Sequence, residues 1–229
     1  LHVGTHRHGL RVVIVCPAEA MNRSTANALL KTLEEPAAGT LFLLISNEPE
    51  RLLPTIRSRC QAVLVPLPEP ALARAWLAAA SVDTPERWLS LAGGAPLLAT
   101  ELGTSGERLL IDTLLQQLRN GPSLDPLAAA AALEKTVKAE KGGTPMKRAM
   151  EWAQKWLIDL SLASSQLPVR YFVLEKKQIE GLVKHTEHQR LLAFARKAIQ
   201  YKRHSEHPLN SRLFLEDFFM GYAALFEPR

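Results

Sequence analysis

Two uninterrupted apolar runs constrain this chain more than any other feature: RVVIV (11–15) and LFLLI (41–45). Each is short, rich in β-branched or large aliphatic residues and free of polar breaks. That pattern suits a strand buried on both faces of a parallel sheet. Between them lies NRSTANALLKTLEE (22–35), in which Asn22 or Ser24 can cap a helix. Ala26, Leu29, Leu30 and Leu33 share one face of it, and Pro36 lies just beyond its end. Strand, helix and strand at this spacing predict a right-handed βαβ unit. PERLLPTIRSRC (49–60) holds a short helical turn or two, interrupted at Pro54, and QAVLVPL (61–67) reads as a third parallel strand. Three strands ending in a proline cluster do not make a doubly covered sheet alone. The chain also begins at Leu1 rather than methionine, and further strands are expected upstream.

After PLPEP (66–70) the β-branched runs cease. Residues 69–80, 84–92 and 95–103 read as three short helices. Trp76 and Leu77, Trp88 and Leu89, and Leu97 and Leu98 are their candidate core, and Gly93-Gly94 separates the second from the third. GTSG (103–106) is a linker signal, GPSLDP (121–126) and KGGTP (141–145) are loops, and longer amphipathic helices surround them. Ala149, Trp152, Trp156 and Leu160 form one helical stripe. Leu191, Phe194, Ala198 and Tyr201 form a second, and Leu215, Phe218, Tyr222 and Phe226 a third. The expected class is α/β followed by all-α, divided into residues 1–67, a small helical domain at 68–104 and a helical domain at 105–229.

Composition excludes several classes. With 47% apolar and 22% charged residues the chain is ordinary globular protein. No apolar run approaches the ~20 residues that span a bilayer, and no signal peptide is visible, so a cytoplasmic protein without a membrane role is expected. Two cysteines, Cys16 and Cys60, suggest neither a disulfide framework nor a four-cysteine zinc site. The net charge of +5 belongs to residues 105–229, with 19 basic against 14 acidic side chains, whereas residues 1–104 carry 9 of each.

The chemistry-bearing motifs are few. No G-x-x-x-x-G-K-[ST] occurs, so no phosphate-cradling loop is written here. His2, His6 and His8 cluster, and His185/His188 and His204/His207 are spaced at i, i+3, but no carboxylate completes a ligand set; they read as solvated, and no metal is expected. Glu34-Glu35 reads as a solvated helix end. Lys176, Lys177, Lys184, Arg190, Arg196, Lys197, Lys202 and Arg203 could meet phosphates, although interspersed acids favour an ordinary solvated face. One oddity remains: the arginine pair Arg57 and Arg59 on a short connection between two buried strands.

The run NALLKTLEEP (27–36) followed by Ser58-Arg59-Cys60 resembles the bacterial DNA polymerase III clamp-loader subunits of the AAA+ class. The resemblance is specific at these two motifs and looser elsewhere. It implies a partial parallel-sheet AAA+ core at 1–67, a helical lid at 68–104 and an oligomerising collar at 105–229. The family's upstream part, with its phosphate loop and zinc-binding cysteine module, is not in this sequence. In hydrolysing relatives the strand before the helix ends in an acidic pair that holds magnesium. Cys16 and Pro17 stand there, neither a hard oxygen donor, and Glu19 is offset. Beside Gly94-Ala95-Pro96, where those relatives carry a phosphate-sensing arginine, stand Leu97-Leu98-Ala99.

The resemblance therefore implies a subunit without intrinsic activity and with no cofactor of its own. Arg59 would be an arginine finger reaching ATP and Mg²⁺ in a neighbouring subunit, with Ser58 and Cys60 as supporting residues and Arg57 either solvent-facing or a lesser interface contact. The implied partners are the gamma/tau and delta subunits, with the sliding clamp and primer–template DNA reached through the complex. Two other readings stay open: a fragment of the hydrolysing gamma/tau-type subunit, and a helical adaptor or DNA-binding module with no ATP-site role.

Overall fold

The computed structural model describes residues 9–105, 107–140, 144–205 and 210–227. It divides into two units, Leu1–Pro66 and Leu67–Arg229.

In the first unit, β1 (Arg11–Val15) pairs in parallel with β2 (Thr40–Leu44), Arg11 opposite Thr40 and Val15 opposite Leu44. The crossover is α1 (Arg23–Glu34), capped by Asn22, whose side chain accepts the Thr25 N–H at 2.8 Å. Gly39, at φ +71°, turns the chain into β2 and its carbonyl accepts the Arg11 N–H at 2.7 Å. After β2 comes α2 (Pro54–Arg57), a single turn opened by Pro54.

Two expectations need correcting here. Residues 61–67 form no strand, and Val63, Leu64 and Val65 are 77%, 89% and 85% exposed. An apolar run becomes a strand only against an open edge whose N–H and C=O groups it can pair, and no such pairing forms among the described residues. Nor are β1 and β2 buried on both faces: Val12, Ile14, Leu41 and Leu43 remain exposed. Two strands and one crossover cannot cover both sides of a parallel sheet.

The second unit is built of helices and connecting loops, with no strand among its described residues. It runs through α3 (Pro70–Ala79), α4 (Pro85–Leu91), α5 (Pro96–Thr104), α6 (Glu107–Leu118), α7 (Pro126–Ala139), α8 (Pro145–Ser164), α9 (Lys176–Val183), α10 (His188–His204) and α11 (Ser211–Ala223). Prolines open α3, α4, α5, α7 and α8. At the first helical position the missing N–H is no loss and the fixed φ already suits a helix. All three expected stripes on α8, α10 and α11 are buried, and their aromatic rings interlock: Phe194 against Phe218 at 5.7 Å, Tyr201 edge-on to Phe218 at 5.4 Å. Trp156 Nε1 donates to the Tyr222 hydroxyl at 3.0 Å, which donates to the Leu118 carbonyl at 2.8 Å, so both buried polar tips are satisfied.

Of the adjacent pairs expected as the core of the three short helices, Leu77, Trp88 and Leu89 are buried. Trp76, Leu97 and Leu98 are exposed, and Ala73, Leu91, Ala99 and Leu102 are buried instead. Successive helical residues do not face the same way, so a pair seldom serves one core. These buried residues form one continuous cluster with those of α6 to α11. Lys155 on α8 donates to the Leu91 carbonyl at 2.7 Å, and Arg108 on α6 pairs with Asp83 at 2.9 Å, so the residues on either side of position 105 share polar contacts as well.

Candidate functional site

The segment carrying Ser58, Arg59 and Cys60 is built from local hydrogen bonds. Leu53 precedes Pro54, which opens α2. Ser58 N–H then bonds to the Pro54 carbonyl at 2.9 Å, Arg59 N–H to that of Ile56 at 3.1 Å and Cys60 N–H to that of Arg57 at 3.3 Å. Ile56 is the buried anchor of the turn, at 1% exposure, and α2 packs against α1. Ser58 turns its hydroxyl back onto the Thr55 carbonyl at 3.1 Å, and Cys60 is a half-buried free thiol. The Ser58 hydroxyl thus closes back onto its own turn.

Arg59 lies across this turn toward the end of α1. Its Nε donates to Glu34 Oε1 at 2.7 Å, Nη2 also pairs with that oxygen, and Nη1 donates to the Thr55 carbonyl at 2.9 Å. The Arg59 side chain as a whole is 34% exposed to solvent. Arg57 points elsewhere and pairs with Glu50 at 3.2 Å, both side chains largely exposed. The structure thus separates two arginines that look alike in sequence. One is held in a three-point cradle, the other in a loose surface pair of little energetic weight.

Glu34 is the residue that sequence reasoning passed over as a solvated helix end. There was a signal. It is the last residue of α1, where the helix dipole disfavours a carboxylate, and a carboxylate there wants a cation beside it.

The end of β1 holds no acidic pair. Cys16 is exposed and free, and its bond to Pro17 is cis. Glu19, the nearest carboxylate, is a strut: its Oε1 accepts the Asn47 N–H at 3.2 Å, tying the turn after β1 to the segment after β2. Hydrogen bonding from its own backbone N–H, then from the Ser46 side chain and the Asn47 N–H, holds its carboxyl below the usual glutamate range. At the start of α5, Leu97 and Leu98 face solvent and Ala99 is buried, with no basic side chain among them.

Among the described residues no group of three or more His, Cys, Asp or Glu side chains could hold a metal ion, and no helix is long and apolar enough to cross a membrane. His2, His6, His8 and His207 lie outside the described residues. His188 Nδ1 is 2.9 Å from the Ser164 hydroxyl. Of the late basic side chains, Lys176 pairs with Glu180, Arg190 with Glu187, Lys197 with Asp217 and Lys202 with Glu151. Four of these eight basic side chains thus stand beside an acid of the same unit.

Residues 4–68 match the family described as DNA polymerase III, delta subunit. The chain is 46% identical over 128 residues to DNA polymerase III subunit delta prime of Pseudomonas aeruginosa, covering 52% of this chain and 39% of that protein. Over about half its length the chain is similar to delta prime subunits. The Escherichia coli delta prime subunit is 41% identical over 129 residues, again 39% of its own length, so the matched stretch spans about two fifths of these relatives. The gamma/tau subunit of Mycobacterium tuberculosis is 44% identical over 68 residues, 30% of this chain and 12% of that protein. Its match is shorter than those to delta prime.

Proposed function

We propose that this chain is part of a non-hydrolysing clamp-loader subunit of the delta prime type, which supplies Arg59 in trans to a neighbouring subunit's ATP and Mg²⁺ during loading of the sliding clamp onto primed DNA. The observation that carries the reading is the mount of Arg59: a one-turn helix anchored by Ile56, with a planar guanidinium held near the surface. As charge spreads over the equatorial oxygens of a transferring phosphoryl group, a guanidinium stabilises it, and its fork matches that geometry better than an ammonium. Cys16 and Pro17, in place of two carboxylates, favour this reading over a fragment of the hydrolysing gamma/tau-type subunit. The paired basic side chains of α9 and α10 weigh against a stand-alone DNA-binding module. In this reading residues 1–67 are the end of an AAA+ core, residues 68–104 its lid and residues 105–229 a collar that joins the gamma/tau and delta subunits.

The test is steady-state phosphate release by complexes rebuilt with variants of the full subunit, with DNA and clamp present and assembly checked by gel filtration. Arg59→Ala lowers the rate; a single finger of this kind is worth about 10³–10⁵ at its own site, and less over a ring whose other sites keep theirs. Arg59→Lys restores little, and Arg57→Ala is far milder. Equal rates for wild type, Arg59→Ala and Arg57→Ala in assembled complexes would refute the trans role.

A further inference from the structure

We infer that Glu34 is a brake on Arg59: it holds the guanidinium charge-neutralised against the end of α1, and the arginine acts on a neighbour's nucleotide only after leaving that carboxylate. The inference rests on the reading of Arg59 as a finger and adds a positioning residue to it. Glu34 Oε1 takes both Nε and Nη2, which is one whole edge of the fork, while Thr55 holds Nη1. A guanidinium paired in this way carries little net charge outward, so it stabilises a developing phosphoryl charge poorly until the pair opens. Both partners are partly solvated, at 34% and 47% side-chain exposure, so the pair opens at modest cost.

A terminal phosphate outbids the carboxylate, because it offers three oxygens and more negative charge to the same fork. The Thr55 carbonyl can keep Nη1 during the exchange, so the side chain swings about a retained contact. Once vacated, Glu34 is an anion at the negative end of a helix dipole, and it draws Arg59 back when the phosphate departs. The arrangement makes the finger available only in an assembled ring with nucleotide across the boundary, and it keeps an exposed arginine from binding stray anions otherwise.

The test uses the same rebuilt complexes and measures kcat and the KM for ATP separately. Glu34→Gln keeps the size and removes the charge. It raises kcat by about two- to fivefold, the range expected from releasing one exposed ion pair, and leaves KM unchanged. The gain vanishes in the Glu34→Gln, Arg59→Ala double variant, which matches Arg59→Ala alone. A Glu34→Gln complex with equal or lower kcat, while Arg59→Ala is impaired, overturns the brake and leaves the finger standing. A gain that persists without Arg59 also overturns it. Arg59→Ala indistinguishable from wild type removes the finger, and the brake with it.

Discussion

Asp159 offers the sharpest test of how the helical unit is held together. It is fully buried in α8, and its carboxylate collects three backbone donors from the segment that follows the helix. Oδ1 takes the Arg170 N–H at 2.8 Å, and Oδ2 takes those of Tyr171 at 2.9 Å and Phe172 at 2.7 Å. These bonds fold residues 170–172 back onto α8 and set Phe172 edge-on against Trp156 at 5.3 Å. Asp159→Ala strands all three donors. Phe172 is buried and cannot recruit water, Tyr171 is half-buried, and Arg170 is exposed and can turn its N–H outward. A stranded buried donor costs about 1–3 kcal/mol, and bonds to a charged acceptor lie at the upper end. The variant should therefore lose about 3–5 kcal/mol, a large share of the ~5–15 kcal/mol typical of a domain. Asp159→Asn can aim its one oxygen at Tyr171 and Phe172 and set its amide against the exposed Arg170 N–H, so about 1–2 kcal/mol is expected. Urea unfolding followed by tryptophan fluorescence reads this directly, because Trp76, Trp88, Trp152 and Trp156 all lie in the second unit. The midpoint should fall in the order wild type, Asn, Ala, with the slope unchanged. Both variants within about 0.5 kcal/mol of wild type would refute the reasoning, since that is the range of an ordinary surface change.

Burial lowers the Lys155 ammonium to about 8, so between pH 8 and 10 the unfolded chain holds more protons than the folded one, and this group makes stability rise with pH. Burial raises the phenols of Tyr201 and Tyr222, which reverses the trend above pH 10; comparing thermal melts of wild type with Lys155→Met across pH 7.5–10 should remove the rising component, and parallel curves would contradict it. A polypeptide of residues 67–229 should unfold cooperatively with its tryptophans protected, whereas residues 105–229 should be less stable by urea titration, having lost Leu91 beside Lys155 and the buried residues of α3 to α5; equal midpoints would show that the short helices add nothing.

Long-period patterns were legible in the sequence because burial on a helix obeys a simple geometry. The stripes on α8, α10 and α11 went to the core position by position. Asn22 was readable as a cap for the same local reason. What failed depended on partners far along the chain. QAVLVPL has the apolar, β-rich look of a strand, yet strand formation is settled by the presence of an edge to pair with, and the run itself does not contain that information. Asp159 was equally invisible: an acid on an apolar stripe looks like an error until residues 170–172 are seen to fold back onto it.

The site divides along the same line. Arg59 could be singled out by motif, but nothing in the motif distinguishes its surroundings from those of Arg57, two residues earlier. Three-dimensional placement makes the difference. Helical backbone rotates each successive side chain by about 100°, so Arg57 is directed to Glu50, while Arg59, two residues on, comes over the end of α1. The two stretches that carry the resemblance, NALLKTLEEP and Ser-Arg-Cys, therefore meet in space, since the first supplies the carboxylate that the second's arginine grips. A chain that needed Arg59 merely as a surface charge would gain nothing from an acid at the helix end that disfavours it. The unfavourable placement of Glu34 is compensated by Arg59, which is why the pair, rather than the arginine alone, is the unit on which a perturbation of this site should act.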